Sequence, residues 1–258
     1  MKKIFIRATA LFLVLSALVS VPASAAEKSF SWSTVRNGNL QPKFPPELSA
    51  VENYGGYYLD RSHGDDSDDK VLYLTFDAGY ENGNIAKILD VMKEKGVTGA
   101  FFVLDHLIIK NPELIKRMKN EGHLVCNHTK NHKDLSFATK DEIKNDLEAL
   151  EKICRDRVGF ELDKYFRFPE GKYSLSALKH VRDLGYKTVF WSFAYYDWDN
   201  KNQPKKATAI KKILSNTHNG AVILLHPTSE TNAAILGELI SAWQKSGYRF
   251  GTLDELTK

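Results

Sequence analysis

Short apolar runs alternate with helix-like stretches along most of this chain, and this alternation limits its fold more than any other feature. Seven of these runs have the length and composition of buried strands. They span residues 71–76, 99–103, 124–126, 165–168, 188–191, 221–225 and 248–250. Because strands that alternate with helices pair in parallel, the sequence predicts an α/β fold with about seven parallel strands. A closed or nearly closed (β/α) barrel is favoured over an open sheet.

The segments between these runs carry helix start and stop signals. Asn111-Pro112 has the pattern of a cap followed by the first helical residue. Thr139 and Glu142 have the spacing of a capping box. Gly185 is suited to ending the helix that precedes the fifth predicted strand. These signals support the helical interpretation of the segments between the strands.

Residues 1–25 have the three parts of a secretory signal. They comprise a positively charged start, an apolar core at residues 8–21 and the small-residue cleavage site Ala23-Ser24-Ala25. The apolar core is too short and too abruptly ended to predict a membrane span. We therefore expect a signal peptide that is cleaved after Ala25, and an extracellular, cell-wall or spore-cortex location. A retained membrane anchor is the alternative.

The remaining chain is predicted to contain an N-terminal extension and one domain. Residues 26–65 include several prolines and a Gly55-Gly56 pair, so we expect an irregular extension wrapped on the domain. Residues 66–258 are enough to bury a core without disulfides. Two cysteines are too few for a disulfide framework, and a buried free thiol is expected at Cys126.

Charge and motifs exclude two classes of function. The formal net charge of +4 falls to +1 when the signal is removed, because Lys2, Lys3 and Arg7 are lost with it. A nearly neutral mature chain has no basic field for nucleic acid. No glycine-rich phosphate fingerprint follows the first predicted strand, which argues against a dinucleotide site.

Polar residues follow five of the predicted strands. Asp77, His128, Arg167, Asp197 and His226 each lie at or just beyond the carboxyl end of a different strand. In an α/β barrel these ends share one face, and that face carries the active site. The sequence therefore predicts that the five side chains meet at one site.

His128 and His132 are candidate metal ligands. Two imidazoles four residues apart can bind one divalent cation if the turn between them is helical. Zinc is favoured by imidazole ligands and by availability, although nickel, cobalt or copper bind similar sites. The alternative is a pair of surface histidines.

The other polar residues supply the groups that hydrolysis needs. Asp77 is a candidate base that would take a proton from water, with Arg167 holding its carboxylate ionised and oriented. His226 is a candidate acid, and Asp197 would favour its protonated form. The alternative for Asp77 is a capping aspartate.

These segments resemble the motifs of the polysaccharide deacetylases, the NodB-homology fold of carbohydrate esterase family four. The resemblance covers Lys70 to Leu256, with the motifs in family order. It implies a distorted (β/α) barrel and metal-dependent removal of N- or O-acetyl groups from amino-sugar polymers. It also implies the roles given above. The base is Asp77, the metal ligands are His128 and His132, the orienting residue is Arg167, the acid is His226 and its support is Asp197.

Two positions depart from the family pattern. Ala78 stands where a second aspartate usually completes a metal triad, which implies weaker metal binding unless Asn131, Asp134 or Glu81 takes its place. Glu170 stands where an aromatic residue is common.

The segment Thr75–Gly83 resembles the subgroup that acts on N-acetylmuramic acid and leads to muramic δ-lactam in spore cortex. We therefore expect peptidoglycan glycan strands, free of peptide, as the substrate of a monomeric enzyme. A deacetylase of N-acetylglucosamine or chitin-like oligomers is one alternative. Another is a catalytically weak glycan-binding protein whose metal site was lost with the aspartate at position 78.

Overall fold

The central sheet of the protein is parallel throughout. A computed structural model describes residues 28–258, so the predicted signal at residues 1–25 lies outside the described residues. The strands are β1 (Ser29–Ser31), β2 (Val35–Asn37), β3 (Leu40–Lys43), β4 (Gly56–Tyr57), β5 (Lys70–Ala78), β6 (Ala100–Val103), β7 (Leu124–Asn127), β8 (Asp163–Phe166), β9 (Lys172–Ser174), β10 (Lys187–Val189), β11 (Ala221–Leu225) and β12 (Tyr248–Phe250).

Helices connect most of these strands. They are α1 (Pro46–Ser49), α2 (Ile85–Lys95), α3 (Asp105–Lys110), α4 (Pro112–Asn120), α5 (Lys140–Val158), α6 (Leu175–Asp183), α7 (Lys206–Leu214), α8 (Glu230–Lys245) and α9 (Leu253–Leu256). Two short 3₁₀ helices lie at Ala50–Tyr54 and Pro169–Gly171. Both hydrogen bonds of the capping box predicted at Thr139 and Glu142 are present at the start of α5. Within residues 28–258, no helix has both the length and the apolar character needed to cross a membrane.

The sheet curls into an incompletely closed barrel. Its strands follow the order β11-β5-β6-β7-β8-β10-β4, and β12 pairs with the start of β5. Single bridges join Phe193 to Ile223 and Leu59 to Ala221, so residues just after β10 and β4 return to β11. The seven predicted strands are all present, and the predicted distorted (β/α) barrel is confirmed.

The strands at the centre of the sheet are mostly apolar and buried, because helices cover one face of the sheet and side chains fill the other. From Val71 to Phe76, every residue of β5 is buried. Such continuous apolar runs are typical of parallel strands that are covered on both faces. Leu89 of α2 and Leu236 of α8 belong to the same buried cluster as Phe76.

The N-terminal segment differs from the irregular extension predicted for residues 26–65. Its described part contains β1 to β4, and β4 extends the central sheet beside β10. Trp32 is buried and stacks on Phe190 with ring centroids 4.5 Å apart. The prediction of irregular structure was wrong because these strands have only two to four residues. Two of them, β1 and β4, pair with β9 and β10 far along the chain, so local sequence patterns do not reveal them.

Gly220 allows the chain to enter β11 at a point of close backbone contact. Its φ is +71°, and a Cβ atom there would overlap the carbonyl oxygen of Asp60. The amide of Asp60 donates to the carbonyl of Gly220 at 2.9 Å. A side chain at this position would therefore separate β11 from the segment after β4.

We expect Gly220→Ala to lower the free energy of unfolding by about 3 kcal/mol, through left-handed backbone strain together with overpacking. Gly247→Ala is the matched control, because Gly247 has φ +83° and open space around its Cβ position. Strain alone should cost the control about 1 kcal/mol. Denaturant unfolding of both variants measures the difference, and equal losses would show that the contact with Asp60 contributes nothing.

Candidate active site

The carboxyl ends of the parallel strands surround a cleft of about 720 Å³. Asp77, His128, His132 and His226 line this cleft. Both Arg167 and Asp197 are fully buried, and each contacts one of the lining residues. The structure therefore brings all six predicted site residues into one region.

Asp77 and Arg167 form a charge-assisted pair beneath the cleft. The Nη1 atom of Arg167 donates to Oδ1 of Asp77 at 2.8 Å. Burial is the largest influence and opposes ionisation of the Asp77 carboxyl. The charge of Arg167, its hydrogen bond and the neighbouring His128 and His226 together outweigh burial, so the pKa of Asp77 lies below its ordinary value. Asp77 is therefore a carboxylate at neutral pH. Its side chain retains 11% exposure, which leaves it open to the cleft.

Every contact of the Arg167 guanidinium is made inside the barrel. Its Nε donates to the carbonyl of Val189 at 2.8 Å. Its Nη2 donates to the hydroxyl of Thr75 at 2.9 Å and to the carbonyl of Phe190 at 3.2 Å. The ring of Phe102 lies 4.2 Å from the guanidinium carbon. Neighbours on several strands thus fix the group that orients Asp77.

His226 and Asp197 form the second pair. The ring Nδ1 of His226 lies 2.7 Å from Oδ1 of Asp197. The other oxygen of Asp197 accepts from the His226 amide at 2.9 Å and from Nδ2 of Asn232 at 2.6 Å. Burial lowers the pKa of His226, but the hydrogen bond to Asp197 and its negative charge outweigh burial and raise that pKa above its ordinary value. A raised pKa suits a group that delivers a proton.

The histidine pair lies on a loop, so the helical turn that was named as the condition for a shared cation is absent. Residues 128–132 form a loop after β7 and not a helical turn. Thr129 and His132 have φ values of +70° and +61°, and this left-handed backbone brings the two rings to a centroid distance of 5.1 Å. Spacing alone does not distinguish a helical turn from a compact loop, and here the loop brings the two rings close without a helix. Strain at such positions is typical of functional sites.

Hydrogen bonding and burial prepare His128 to act as a ligand. Its Nδ1 lies 2.9 Å from the carbonyl oxygen of Arg167, so Nδ1 carries the hydrogen and Nε2 keeps its lone pair. Nε2 lies 3.5 Å from Oδ2 of Asp77. Burial lowers the pKa of His128 to about 4, which keeps the ring neutral. A neutral imidazole with one oriented nitrogen is the form that binds metal.

Comparisons with known proteins agree on one family. The sequence profile described as polysaccharide deacetylase matches residues 64–189. The chain is 40% identical over 228 residues to the peptidoglycan-N-acetylmuramic acid deacetylase PdaA of Bacillus subtilis, covering 88% of this chain and 85% of that protein. The solved structure of that PdaA, described as a family 4 carbohydrate esterase, has a TM-score of 0.82 and 39% identity, covering 89% of this chain and 97% of that one.

The chain belongs to the polysaccharide deacetylase family. A family 4 carbohydrate esterase from Bacillus anthracis has a similar structure, with a TM-score of 0.72 and 33% identity over 89% of this chain and 96% of that one. A peptidoglycan-N-acetylglucosamine deacetylase of Bacillus cereus is 30% identical over 198 residues, 74% of this chain and 90% of that protein. These relatives share the fold and the enzyme class of a deacetylase acting on polysaccharides.

Ala78 stands next to Asp77 and provides no second carboxylate to accompany the two imidazoles. Ala78 is fully buried in an apolar cluster with Phe76 and Val103. The suggested substitutes serve other purposes, since Glu81 accepts from the amides of Gly83 and Ile85. Asp134 accepts from the amide of Ser136 at 2.9 Å. In the described part of the chain, no three His, Cys, Asp or Glu side chains form a group that could hold a metal.

Several site residues of the deacetylase were not singled out from the sequence. Thr75 and Asn232 hold Arg167 and Asp197 respectively, yet neither lies in a pattern that indicates such a role. Tyr80 lines the cleft, and its hydroxyl accepts from Nδ2 of Asn200 at 2.5 Å. In the sequence, the signal for Tyr80 is its position a few residues after the predicted base Asp77. Glu170, singled out for its departure from the family, lines the cleft with φ +54°.

We expect Arg167→Leu to destabilise the protein by roughly 3–5 kcal/mol, because it leaves the carboxylate of Asp77 unpaired in a buried position. The double variant Asp77→Asn/Arg167→Leu should recover part of this loss, since both charges are then absent. Denaturant unfolding of the two single variants and the double variant gives the coupling. Strictly additive losses would contradict the ion pair as a stabilising unit.

Proposed function

We propose that this deacetylase removes the N-acetyl group of N-acetylmuramic acid in peptidoglycan glycan strands. The observation that carries the proposal is the pairing of Asp77 with Arg167 and of His226 with Asp197 around one cleft. One pair keeps a base ionised, and the other keeps an acid protonated. A binding module needs neither arrangement, which argues against a glycan-binding protein without activity.

Amide hydrolysis uses the two pairs in sequence. Asp77 accepts a proton from the water that attacks the acetyl carbonyl, while Arg167 keeps the carboxylate in place. His226 then gives its proton to the amine nitrogen as the carbon–nitrogen bond breaks, and Asp197 stabilises the imidazolium before transfer. The acetyl group is released as acetate. The amine remains on the sugar.

His128 and His132 fit a divalent cation, and we propose zinc because it accepts imidazole ligands and is readily available. The fit rests on the neutral ring of His128 and on its Nδ1 contact with Arg167, which leaves Nε2 free. A cation at this pair would make water more acidic and stabilise negative charge on the acetyl oxygen. Arg167 holds Oδ1 of Asp77, so the other carboxylate oxygen, Oδ2, remains available to act as the base.

Zinc affinity is expected to depend on both histidines. The variant His128→Ala/His132→Ala should lose binding measured by calorimetry on protein stripped of metal. His180→Ala is the control, because His180 lies on α6 away from the cleft and should bind zinc as the unaltered protein does. Unchanged zinc affinity in the double variant would place the metal elsewhere.

The pH profile should report the His226–Asp197 pair. Because His226 must be protonated to act as the acid, kcat/KM falls as pH rises through its pKa, which Asp197 raises. Asp197→Asn removes the negative partner, so the basic limb of the profile should move to lower pH. Asp199→Asn is the control, since Asp199 contacts Tyr196 and Lys201 and makes no hydrogen bond to His226. A basic limb that stays in place in Asp197→Asn would assign the acid to another group.

The proposed substrate is a strand that has lost its peptides. The resemblance at Thr75–Gly83 and the similarity to PdaA both point to N-acetylmuramic acid. Removal of the acetyl group leaves an amine beside the lactyl carboxylate of the same sugar, so closure of a δ-lactam gains from proximity. A stem peptide would occupy that carboxyl group. We therefore place the reaction in spore cortex, after peptide removal.

Acetate release and mass spectrometry of the strands test this substrate. Strands treated with an amidase to remove peptides should release acetate and gain δ-lactam, and peptide-substituted strands should react poorly. Equal release from both would remove the muramic-lactam proposal. Release from chitin oligomers alone would favour a deacetylase of N-acetylglucosamine, the activity named for the Bacillus cereus relative.

Export completes the proposal, because peptidoglycan strands lie outside the cytoplasmic membrane. Residues 1–25 have the pattern of a cleaved signal, and the mature protein is proposed to act as a monomer. N-terminal sequencing of the secreted protein should begin at Ala26. A protein that keeps its first residues and remains with the membrane fraction would indicate a retained anchor.

A further inference from the structure

A second pocket lies beside the active-site cleft. Its volume is about 190 Å³, and Tyr195 lines both it and the cleft. The other residues that form it come from the loop before α7 and from α7 itself, namely Tyr196, Asn202, Pro204, Thr208, Ala209 and Lys212. None of these residues has a part in the reaction described above. The pocket therefore extends the surface available to a long substrate.

Two exposed aromatic rings connect the pocket to the cleft. Trp198 lines the cleft and Tyr196 lines the pocket. Their side chains are 57% and 46% exposed, and their ring centroids lie 4.7 Å apart at an interplanar angle of 58°. Large aromatic side chains exposed next to each other usually mark a binding surface. Here the two contacting rings link the lining of the cleft to the lining of the second pocket.

The loop that carries these rings is fixed to the catalytic residues. Nε2 of Gln203 donates to the carbonyls of Asp197 and Asp199 at 2.8 and 2.9 Å. The hydroxyl of Tyr195 donates to Oδ1 of Asn232, whose Nδ2 holds Asp197. The position of the pocket is therefore tied to that of the acid His226 through Asp197.

One side of the pocket comes from a lysine-rich part of the chain, and on the other side the hydroxyl of Tyr196 donates to the carboxylate of Asp199 at 3.2 Å. Residues 200–229 contain five lysines and no aspartate or glutamate. The lysines are Lys201, Lys205, Lys206, Lys211 and Lys212. Within residues 28–258, none of the five forms an ion pair. Lys212 is the one that lines the pocket, so a positive charge without a partner borders a surface with an aromatic ring.

From this geometry we infer that the pocket is an outer subsite for a carboxylate-bearing sugar of the same glycan strand. Tyr196 packs against the sugar ring, and the ammonium group of Lys212 binds the carboxylate. In a peptide-free strand that carboxylate is the lactyl group of another muramic acid. This inference rests on the proposed function. It adds that the enzyme recognises a strand by a second anionic sugar beyond the one that reacts.

Charge reversal at two neighbouring lysines tests the subsite. We compare kcat/KM on long peptide-free strands with kcat/KM on the shortest fragment that still contains N-acetylmuramic acid. In Lys212→Glu the ratio of strand to fragment should fall about tenfold, since the attraction is lost and a repulsion is added. Lys211→Glu is the matched control, with the same change of charge on the same helix but outside the pocket. It should keep the ratio of the unaltered enzyme.

Chemical neutralisation of the substrate separates the roles of charge and ring. On strands whose carboxyl groups are converted to amides, Lys212→Glu should bind as the unaltered protein does, whereas Tyr196→Ala should still bind more weakly. Calorimetry in an Asp77→Asn background measures this binding without turnover. That substitution should slow the reaction by about 10²–10⁴-fold because it removes the base.

The outcomes distinguish failure of the proposed function from failure of the subsite. Acetate release from neither strands nor fragments would overturn the proposed function. Release from both, with the same strand-to-fragment ratio in Lys212→Glu and in the unaltered enzyme, would overturn the subsite alone. An equal fall of that ratio in Lys211→Glu and Lys212→Glu would also overturn it, since a diffuse attraction to the lysine-rich segment would then explain the effect.

Discussion

The buried ion pair between Arg167 and Asp77 is the interaction on which the rest of the site depends. Arg167 is fully buried. Its guanidinium donates to Asp77, to Thr75 and to the carbonyls of Val189, the last residue of β10, and of Phe190. Removing a charge of this kind from water is costly unless each donor has a partner. The barrel supplies the partners because parallel strands end at one face. The carbonyl of Arg167 also accepts from Nδ1 of His128, so one residue positions both the proposed base and a proposed metal ligand.

The sequence was sufficient to predict the strands and the charged residues at their ends. The seven runs were recognisable because strands covered on both faces are continuously apolar. Asp77, His128, Arg167, Asp197 and His226 were recognisable because each followed such a run. What could not be predicted depends on contacts across the chain. Asn232, at the start of α8, donates to Asp197, and β4 pairs with β10. Neither contact produces a recognisable pattern in the neighbouring sequence.

The histidine loop brings its two imidazoles together without the helical turn that was named as the condition for a shared cation. Two residues of the loop have positive φ instead. A left-handed backbone costs energy for residues with a side chain. The bond from the Thr129 amide to Oδ1 of Asn127 and the bond from the Lys130 amide to Oδ1 of Asp146 help to offset this cost. Hydrogen bonds to Asn127 and Asp146 therefore stabilise the loop conformation beside the cleft. The sequence of the loop alone does not specify that conformation.

The pairing of β4 with β10 also constrains how the protein reaches its folded state. Gly56 and Thr188 are partners in the sheet although most of the domain lies between them. Contacts between distant parts of a chain form late, because a long loop must close before they contribute. β1 and β4 therefore stay without their partners until β9 and β10 are available, whereas β2 and β3 pair with each other. For a chain that crosses a membrane from its N-terminus, this order of assembly would delay closure of the barrel until most of the chain had passed through.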